Sequence, residues 1–354
     1  MKNDYFYIIG LMSGTSLDGI DLVYVKFNRK IHSDFKILFS NTYGYSKKWM
    51  NDLKDAITFS EEVIQQLNID YGVLLSEKIN DFIDQFKIKK IDFIASHGHT
   101  VFHQPDKGVT LQIGDGQTIS NITKQKVVCD FRTQDVRYGG QGAPLVPIGD
   151  ELLFSDFEYC LNLGGFANVS FKHNDKRIAY DICPVNIVLN KYAQKLGYDY
   201  DDKGEIAFSG EYLMDLDTTL RSLDFYKKEA PKSLGLEWVK ENIFPVLESS
   251  KIKPEDLLRT YTEHSGWAIA KAFPVNAKIL VTGGGVFNDY LLSRIKYYKQ
   301  LTIVVPDKRL VEFKEALVFA FLALLKVDNQ VNCLSSVTGA IKDHSSGEVF
   351  YPNN

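Results

Sequence analysis

Between two apolar, β-prone runs at residues 5–12 and 20–27 lies the stretch Ser13-Gly14-Thr15-Ser16-Leu17-Asp18-Gly19. A hairpin needs only two turn residues such as Asn-Gly, so this connection carries more than a turn requires. Its glycines free successive backbone N–H groups and its hydroxyls stand beside them, a combination that cradles anionic oxygens. Asp18 and Asp21 add carboxylates of the kind that hold Mg2+ together with waters and phosphate oxygens. The stretch has no GxxxxGK[ST] and no lysine, so it is not a Walker A loop. A solvent-exposed hairpin tip fits the same composition, because Gly, Ser and Asp are also common turn residues.

Four other stretches offer chemistry. Gly283, Gly284 and Gly285 follow a strand-like run and precede a helix starting near Asn288, a place where a nucleotide can approach backbone. It is not GxGxxG, so a dinucleotide is not favoured, and a structural glycine turn stays open. Asp181 ends a strand-like run before a Pro-started helix. It suits a general base in a cleft between domains and equally a helix N-cap. His97, His99 and His103 form a weak metal spacing without a fourth ligand, so substrate contact or a hydrogen-bonded turn fits better. Arg132, Asp135 and Arg137 stand beside glycines; arginine there suits a transferring phosphoryl group or a buried carboxylate, or a surface ion pair.

The elements that must position these groups read as follows. Strands are expected at 5–12, 20–27, 35–45, 91–97, 109–113 and 126–130. Residues 60–86 form a long helix, with Ser60 as N-cap and Glu61 and Glu62 in its first turn. Its apolar stripe is Val63, Leu67, Tyr71, Leu74, Leu75, Ile79, Phe82, Ile83 and Phe86. The Gly/Pro-dense stretch 138–150 breaks the pattern. After it come strands at 159–164, 165–173 and 176–181, helices at 184–196, 209–224, 237–250 and 254–273, a strand at 277–285, a helix from Asn288, a strand at 301–306 and a last helix from about Lys314. The plan therefore repeats, implying two α/β domains with mixed sheets: residues 1–150 and 151–354, the last segment free to pack back on the first domain.

Composition narrows the function class. The 354 residues carry a net charge of −4, with 45% hydrophobic and 24% charged residues, an ordinary globular balance. No basic stripe points to nucleic acid. The longest apolar run, residues 316–325, is too short for a membrane span of about 20 residues. Four scattered cysteines without CxxC read as reduced thiols, and no secretory h-region opens the sequence. A cytoplasmic protein is expected.

Taken together, these segments resemble the anhydro-N-acetylmuramic acid kinases of the sugar-kinase/Hsp70/actin superfamily. The matching stretches are "GLMSGTSLDGID" (10–21), "SHGHT" (96–100), "TLQIGDG" (110–116), "DFRTQDV" to "GGQGAPLVP" (130–147), "LNLGGFANVS" (161–170), "TGGGVFNDYL" (282–291), "PDKRLVEFKEALVFAFLA" (306–323) and "SSVTGA" (335–340). The resemblance implies two RNase H-like, actin-like ATPase domains around an interdomain cleft. It implies an ATP- and Mg2+-dependent kinase of peptidoglycan recycling that opens 1,6-anhydro-N-acetylmuramic acid with water and phosphorylates O6. By motif, Gly14, Thr15, Ser16, Leu17, Asp18, Gly19, Ile20 and Asp21 form the first phosphate loop, with Asp18 and Asp21 toward the metal. Asp181 is the base. Thr100 and Arg132 hold sugar and phosphoryl, with Glu315 near Arg132. Gly283, Gly284, Gly285 and Asn288 lie under the adenosine. The implied partner is a small amino sugar, neither nucleic acid nor membrane, with a homodimer as the assembly to test.

Three departures from the family pattern set the alternatives. The usual Asp-Thr-Gly-Pro-Gly-Asn is here Asp181-Ile182-Cys183-Pro184-Val185-Asn186, which loses both glycines and a hydroxyl. Side chains at 183 and 185 are expected to hold phosphate off the backbone or reshape the loop. The usual Lys-Ser-Thr-Gly-Arg-Glu is Lys232-Ser233-Leu234-Gly235-Leu236-Glu237, and the usual His-Gly-Gln-Thr has His99 as its third residue. A same-fold ATPase, a kinase of another sugar, or a non-catalytic nucleotide- or muropeptide-binding module are the alternatives.

Overall fold

The computed structural model describes residues 4–14, 16–248 and 251–353. Thr15 of the first loop lies outside the described residues. Contacts divide the chain into two compact units, Met1–Ser155 with Phe313–Asn354, and Asp156–Glu312. Residues 313–354 therefore belong with the first unit, not with the residues that precede them.

The strands are, in chain order, β1 (Tyr5–Met12), β2 (Ile20–Asn28), β3 (Phe35–Tyr43), β4 (Phe93–Ser96), β5 (His99–Gln104), β6 (Val109–Ile113), β7 (Val127–Cys129), β8 (Tyr159–Leu163), β9 (Phe166–His173), β10 (Lys176–Pro184), β11 (Lys278–Thr282), β12 (Thr302–Val304) and β13 (Glu348–Phe350). In the first unit β1–β2–β3 form an antiparallel meander, and β4 and then β7 add in parallel on the free side of β1. In the second, β8–β9–β10 form the meander, and β11 and β12 add in parallel on β8. The order 3-2-1-4-5 thus occurs twice, with β13 capping β7 antiparallel in the first sheet and β5–β6 a separate ribbon. This is the mixed-sheet order of an RNase H-like, actin-like ATPase unit.

Central strands buried on both faces read as near-continuous apolar runs. In β1, Ile8, Ile9 and Leu11 are fully buried. The helix Glu61–Phe86 packs Leu67, Tyr71, Leu75, Ile79 and Phe82 into the first core, and the Ser60 side chain caps it at Val63 N–H. Val63, expected in that stripe, stays 48% exposed, since a residue in the first turn can face water. The second unit's core gathers Leu161, Val169, Val188, Leu258, Ile279 and Leu291.

Several element bounds differ from the sequence reading. The helix expected at 184–196 is Asn186–Gln194, because β10 runs on to Pro184. That expected at 209–224 splits into Glu205–Ser209 and Met214–Ser222 around Gly210, where a Cβ would lie 2.2 Å from Glu255 O. The last helix starts at Lys308, six residues before Lys314, and loses helical geometry at Phe313 (φ −113°, ψ 15°). Helices Lys47–Asp55 and Pro147–Leu153 and strand β13 were not expected.

Candidate active site

The loop joining β1 to β2 is held from below. Ser13 is 1% exposed; its hydroxyl donates to Gly98 O at 2.9 Å and accepts from Tyr71 Oη at 2.8 Å. Tyr71 Oη in turn lies 2.6 Å from Tyr45 Oη. Ser13 is therefore an anchor, not a free phosphate ligand. Gly14, Ser16, Leu17 and Asp18 keep solvent access. Gly19, at φ +154°, sits so close to β3 that a Cβ would meet Thr42 at 2.8 Å. Ile20 is 1% exposed within the core, so only its backbone is left to face a ligand, a correction to the expected side-chain set. Asp21 on β2 accepts from Thr42 Oγ1 at 2.6 Å.

Beside this loop, Arg132 is held in one orientation. Its Nε and Nη2 donate to His97 Nε2 at 3.0 and 2.9 Å, and Nη1 donates to Gly142 O at 2.6 Å. Guanidinium has five N–H donors, so two remain among the described residues for a ligand. Since arginine only donates, His97 Nε2 carries no proton, and His97 Nδ1–H donates to Gly98 O at 2.9 Å. Burial, with the Arg132 charge, keeps the His97 pKa well below its usual value. Burial also pushes the Arg132 pKa down to about 10, against the favourable charge of Glu315, so it stays cationic at neutral pH.

Glu315 approaches because of a glycine. A Cβ on Gly10 would lie 2.3 Å from Ala316 O and 2.8 Å from Ala320 Cβ, so the bare Cα lets the helix after Phe313 lie directly on β1. Glu315 keeps exposed surface, yet the protein packed around it raises its carboxyl pKa; Arg132 opposes the rise and the charge of Asp21 adds to it. Asp21, Glu315 and Arg132 therefore form one electrostatic group. Asp21 and Glu315 are hard oxygen donors of the type Mg2+ selects, whereas Asp18 is exposed on the loop.

The three histidines do not converge. His97 goes to Arg132, His103 Nδ1 lies 3.2 Å from Thr110 Oγ1, and His99 packs edge-on to Tyr71 at 6.2 Å. Buried His99 is pushed down to about 4, and its Nδ1 has no partner among the described residues. Thr100 accepts from Gln112 Nε2 at 3.4 Å. Nearby, a cavity of about 150 Å³ is lined by His97, Thr110, Gln112, Asp115, Asp130 and Thr133 among others. Its hydroxyls, amide and carboxylates suit a polyhydroxylated ligand; Gln112 and Thr110 lie inside a matching motif, yet nothing in their spacing singled them out.

Asp135 is not in a surface ion pair. It is wholly buried and accepts from Gly142 N–H (2.7 Å), Thr338 Oγ1 (2.7 Å) and Cys333 Sγ (3.0 Å). Arg137 is exposed.

In the second unit Asp181 lies within β10, not at a helix start; the N-cap of Asn186–Gln194 is Val185. Asp181 N–H donates to Lys232 O at 2.9 Å, and Leu234 N–H donates to Asp181 Oδ2 at 2.8 Å. Burial raises its carboxyl pKa, with the Leu234 N–H opposing. The Leu234–Asp181 link is backbone to carboxylate, so the missing threonine at 234 does not break it. A β-bulge between Asp181 and Cys183 interrupts the alternation of faces. In consequence Ile182, Cys183 and Val185 all point into the core, at 3%, 0% and 0% exposed. The side chains that replace the family's glycines are thus packed into the second unit's core. The loop's N–H groups are engaged instead: Val185 and Ile187 donate to Gly165 O, and Asn186 to Gly164 O.

The three glycines after β11 separate by role. A Cβ on Gly283 (φ +84°) would lie 2.6 Å from Asn162 Oδ1, and one on Gly285 2.8 Å from Leu163 Cβ, whereas Gly284 faces open space. Asn288 accepts from Leu291 N–H at 2.8 Å as the N-cap of helix Asp289–Tyr298 and is 7% exposed. Only Gly284 is open for a ligand to approach.

A family profile described as "Anhydro-N-acetylmuramic acid kinase" matches residues 6–352. The chain is 32% identical to the anhydro-N-acetylmuramic acid kinase of Bacillus cereus (strain AH187), over 98% of this chain and all of that one. It is 34% identical to that of Aliivibrio fischeri, over 98% and 99% of the two chains. Among solved structures, Plasmodium falciparum glycerol kinase with ADP superposes with a TM-score of 0.44 at 10% identity, over 98% of this chain and 94% of that one.

Proposed function

Because the chain belongs to the anhydro-N-acetylmuramic acid kinase family, we propose how its residues divide the work of an ATP-dependent phosphotransferase acting on 1,6-anhydro-N-acetylmuramic acid. Asp181 is the general base. It takes a proton from a water whose oxygen bonds to the anomeric carbon; the bond from that carbon to O6 breaks, and O6 accepts the γ-phosphoryl of ATP. The products are N-acetylmuramic acid 6-phosphate and ADP.

The observation that carries this assignment is the Leu234 N–H on Asp181 Oδ2. It fixes one carboxylate oxygen and leaves the other to receive a proton, while burial raises the basicity of the group. Arg132, pinned by His97 and Gly142, directs its two remaining N–H donors at the transferring phosphoryl, where fixed charge stabilises the transition state. Thr100, with the Thr110–Gln112 cavity, receives the sugar. The accessible Gly14, Ser16, Leu17 and Asp18 receive the β- and γ-phosphates, and Gly284 the adenosine side. Asp21 and Glu315 are the carboxylates that fit Mg2+, which when bound neutralises phosphate charge.

No helix among the described residues is long and apolar enough to cross a membrane. The four cysteines are free and buried, which supports a reducing, cytoplasmic setting. Sedimentation of the purified chain decides between monomer and homodimer. The kinase reading is tested by incubating it with ATP, Mg2+ and the anhydro-sugar while following ADP and sugar phosphate together. Equal yields are expected; ADP without sugar phosphate refutes the reading.

A further inference from the structure

We propose that Asp135, Cys333 and His344 form a structural Zn2+ site inside the first unit. One potential ligand atom from each of the three lies within 4.8 Å of the other two. The residues are 0%, 1% and 5% exposed. Cys333 Sγ stands 3.0 Å and His344 Nε2 3.6 Å from Asp135 Oδ1.

The backbone builds the cluster. Cys333 and His344 face each other in an isolated antiparallel bridge, which puts directly opposed side chains on one face. The helix Thr133–Arg137 brings Asp135.

The orienting contacts are those of metal ligands. His344 Nδ1 lies 3.1 Å from Lys342 O, so it holds the proton and leaves the Nε2 lone pair turned inward. That Nε2 is buried and has no hydrogen-bond partner among the described residues, and it faces a carboxylate oxygen. In that tautomer the lone pair is set unfavourably against a carboxylate, and a positive charge between them, a second ring proton or a metal ion, reverses the sign. A second hydrogen bond from the other ring nitrogen is the usual support of a ligating histidine. Asp135 is supported likewise, by Gly142 N–H on Oδ2 and Thr338 Oγ1 on Oδ1.

The donor set selects the metal. Mixed thiolate, imidazole and carboxylate suit tetrahedral Zn2+; Mg2+ requires oxygen ligands, and Cu(I) is poorly served by a carboxylate. On binding, the Cys333 S–H bond breaks, its proton passes to solvent and an S–Zn bond forms. One thiolate and one carboxylate balance the two charges of the ion, and a water fills the fourth position. The ion then ties Arg132's helix to the chain's last segment.

The test uses untagged full-length chain, stripped with chelator and re-exposed to Zn2+ or Co2+. One equivalent of Zn2+ is expected to survive gel filtration. Co2+ is expected to show a thiolate charge-transfer band, and the melting temperature to rise by roughly 5–10 °C with zinc in 100-fold excess over its dissociation constant. Cys333→Ser should abolish the cobalt band. Substoichiometric zinc with no cobalt–thiolate band in the wild-type chain overturns the site and leaves a hydrogen-bonded cluster, whether or not the variant folds. A full equivalent of metal retained by Cys333→Ser overturns it as well.

Discussion

Two nitrogens of Arg132 converge on one nitrogen of His97, at 3.0 and 2.9 Å from its Nε2. The histidine is thereby a fixed acceptor, and its own Nδ1 is tied to Gly98 O, the same carbonyl that Ser13 holds. The first loop and the arginine are registered through a single peptide oxygen.

His97→Ala removes that acceptor and frees the guanidinium. A fall in kcat of about 10- to 100-fold is expected, the scale of a small misplacement of a catalytic group, with KM for ATP nearly unchanged. His97→Gln, which restores an acceptor, should recover part of the loss. Steady-state kinetics on both variants checks this; equal kcat in wild type and His97→Ala removes the positioning role.

Asp181→Asn should lower turnover by about 10² to 10⁴-fold, the usual share of a general base, with ATP binding by calorimetry preserved. Its effect on stability has the opposite sign. The folded-state pKa of Asp181 is raised, so the folded form holds its proton more tightly than the unfolded chain. Stability from this group is present at low pH and declines as pH rises through the folded pKa. Denaturation at neutral pH should find the Asn variant as stable as wild type or more so.

His99, neutral in the fold with a pKa near 4, works the other way. Unfolded histidine titrates at about 6.5. Its contribution is therefore complete above that value and is lost as pH falls toward 4, by up to about 3 kcal/mol. His97 acts in the same direction. Thermal melts from pH 7 to 4 should show a shallower acid decline in His99→Gln; parallel curves would sink the assignment.

Restoring glycine in the second loop should not improve the enzyme. Cys183 and Val185 fill the second core, so Cys183→Gly and Val185→Gly each should cost about 1–3 kcal/mol through lost packing and added chain entropy. Urea titration measures the cost. A rise in kcat in either variant would mean that these side chains do obstruct phosphate.

Gly284 and Gly10 separate by what an added Cβ would meet. Gly284→Ala is expected to fold normally and raise KM for ATP several-fold. Gly10→Ala, which forces a Cβ against Ala316 O, should destabilise by about 1–3 kcal/mol and disturb Glu315. Melting temperature together with KM tells the two cases apart.

What the sequence makes legible follows from periodicity. The stripe Leu67, Tyr71, Leu75, Ile79, Phe82 announces its helix, and the twofold recurrence of strands and glycine turns announces two mixed sheets. The direction of side chains 182–185 is not legible, because one bulge puts Ile182 and Cys183 on the same side, and a bulge leaves no mark on an apolar run. Nor is the cluster of Asp135 with Cys333 and His344, because Asp135 lies 198 residues from Cys333 and meets the bridged Cys333–His344 pair only through tertiary structure. The small residues of the first loop stand out in the sequence; that Ser13 hydrogen-bonds to Gly98 and Tyr71 does not, because those partners are distant in the chain.

The first unit is closed by residues from Phe313 onward, among them the fully buried Leu317, Phe321, Leu324 and Leu325. On the ribosome the N-terminal strands must therefore wait while residues 156–312 are made, roughly 8 to 30 s at ordinary elongation rates. The second unit, continuous in sequence, emerges complete first. Throughout that interval the face of β1 against which Gly10 receives Ala316 and Ala320 has no helix to cover it.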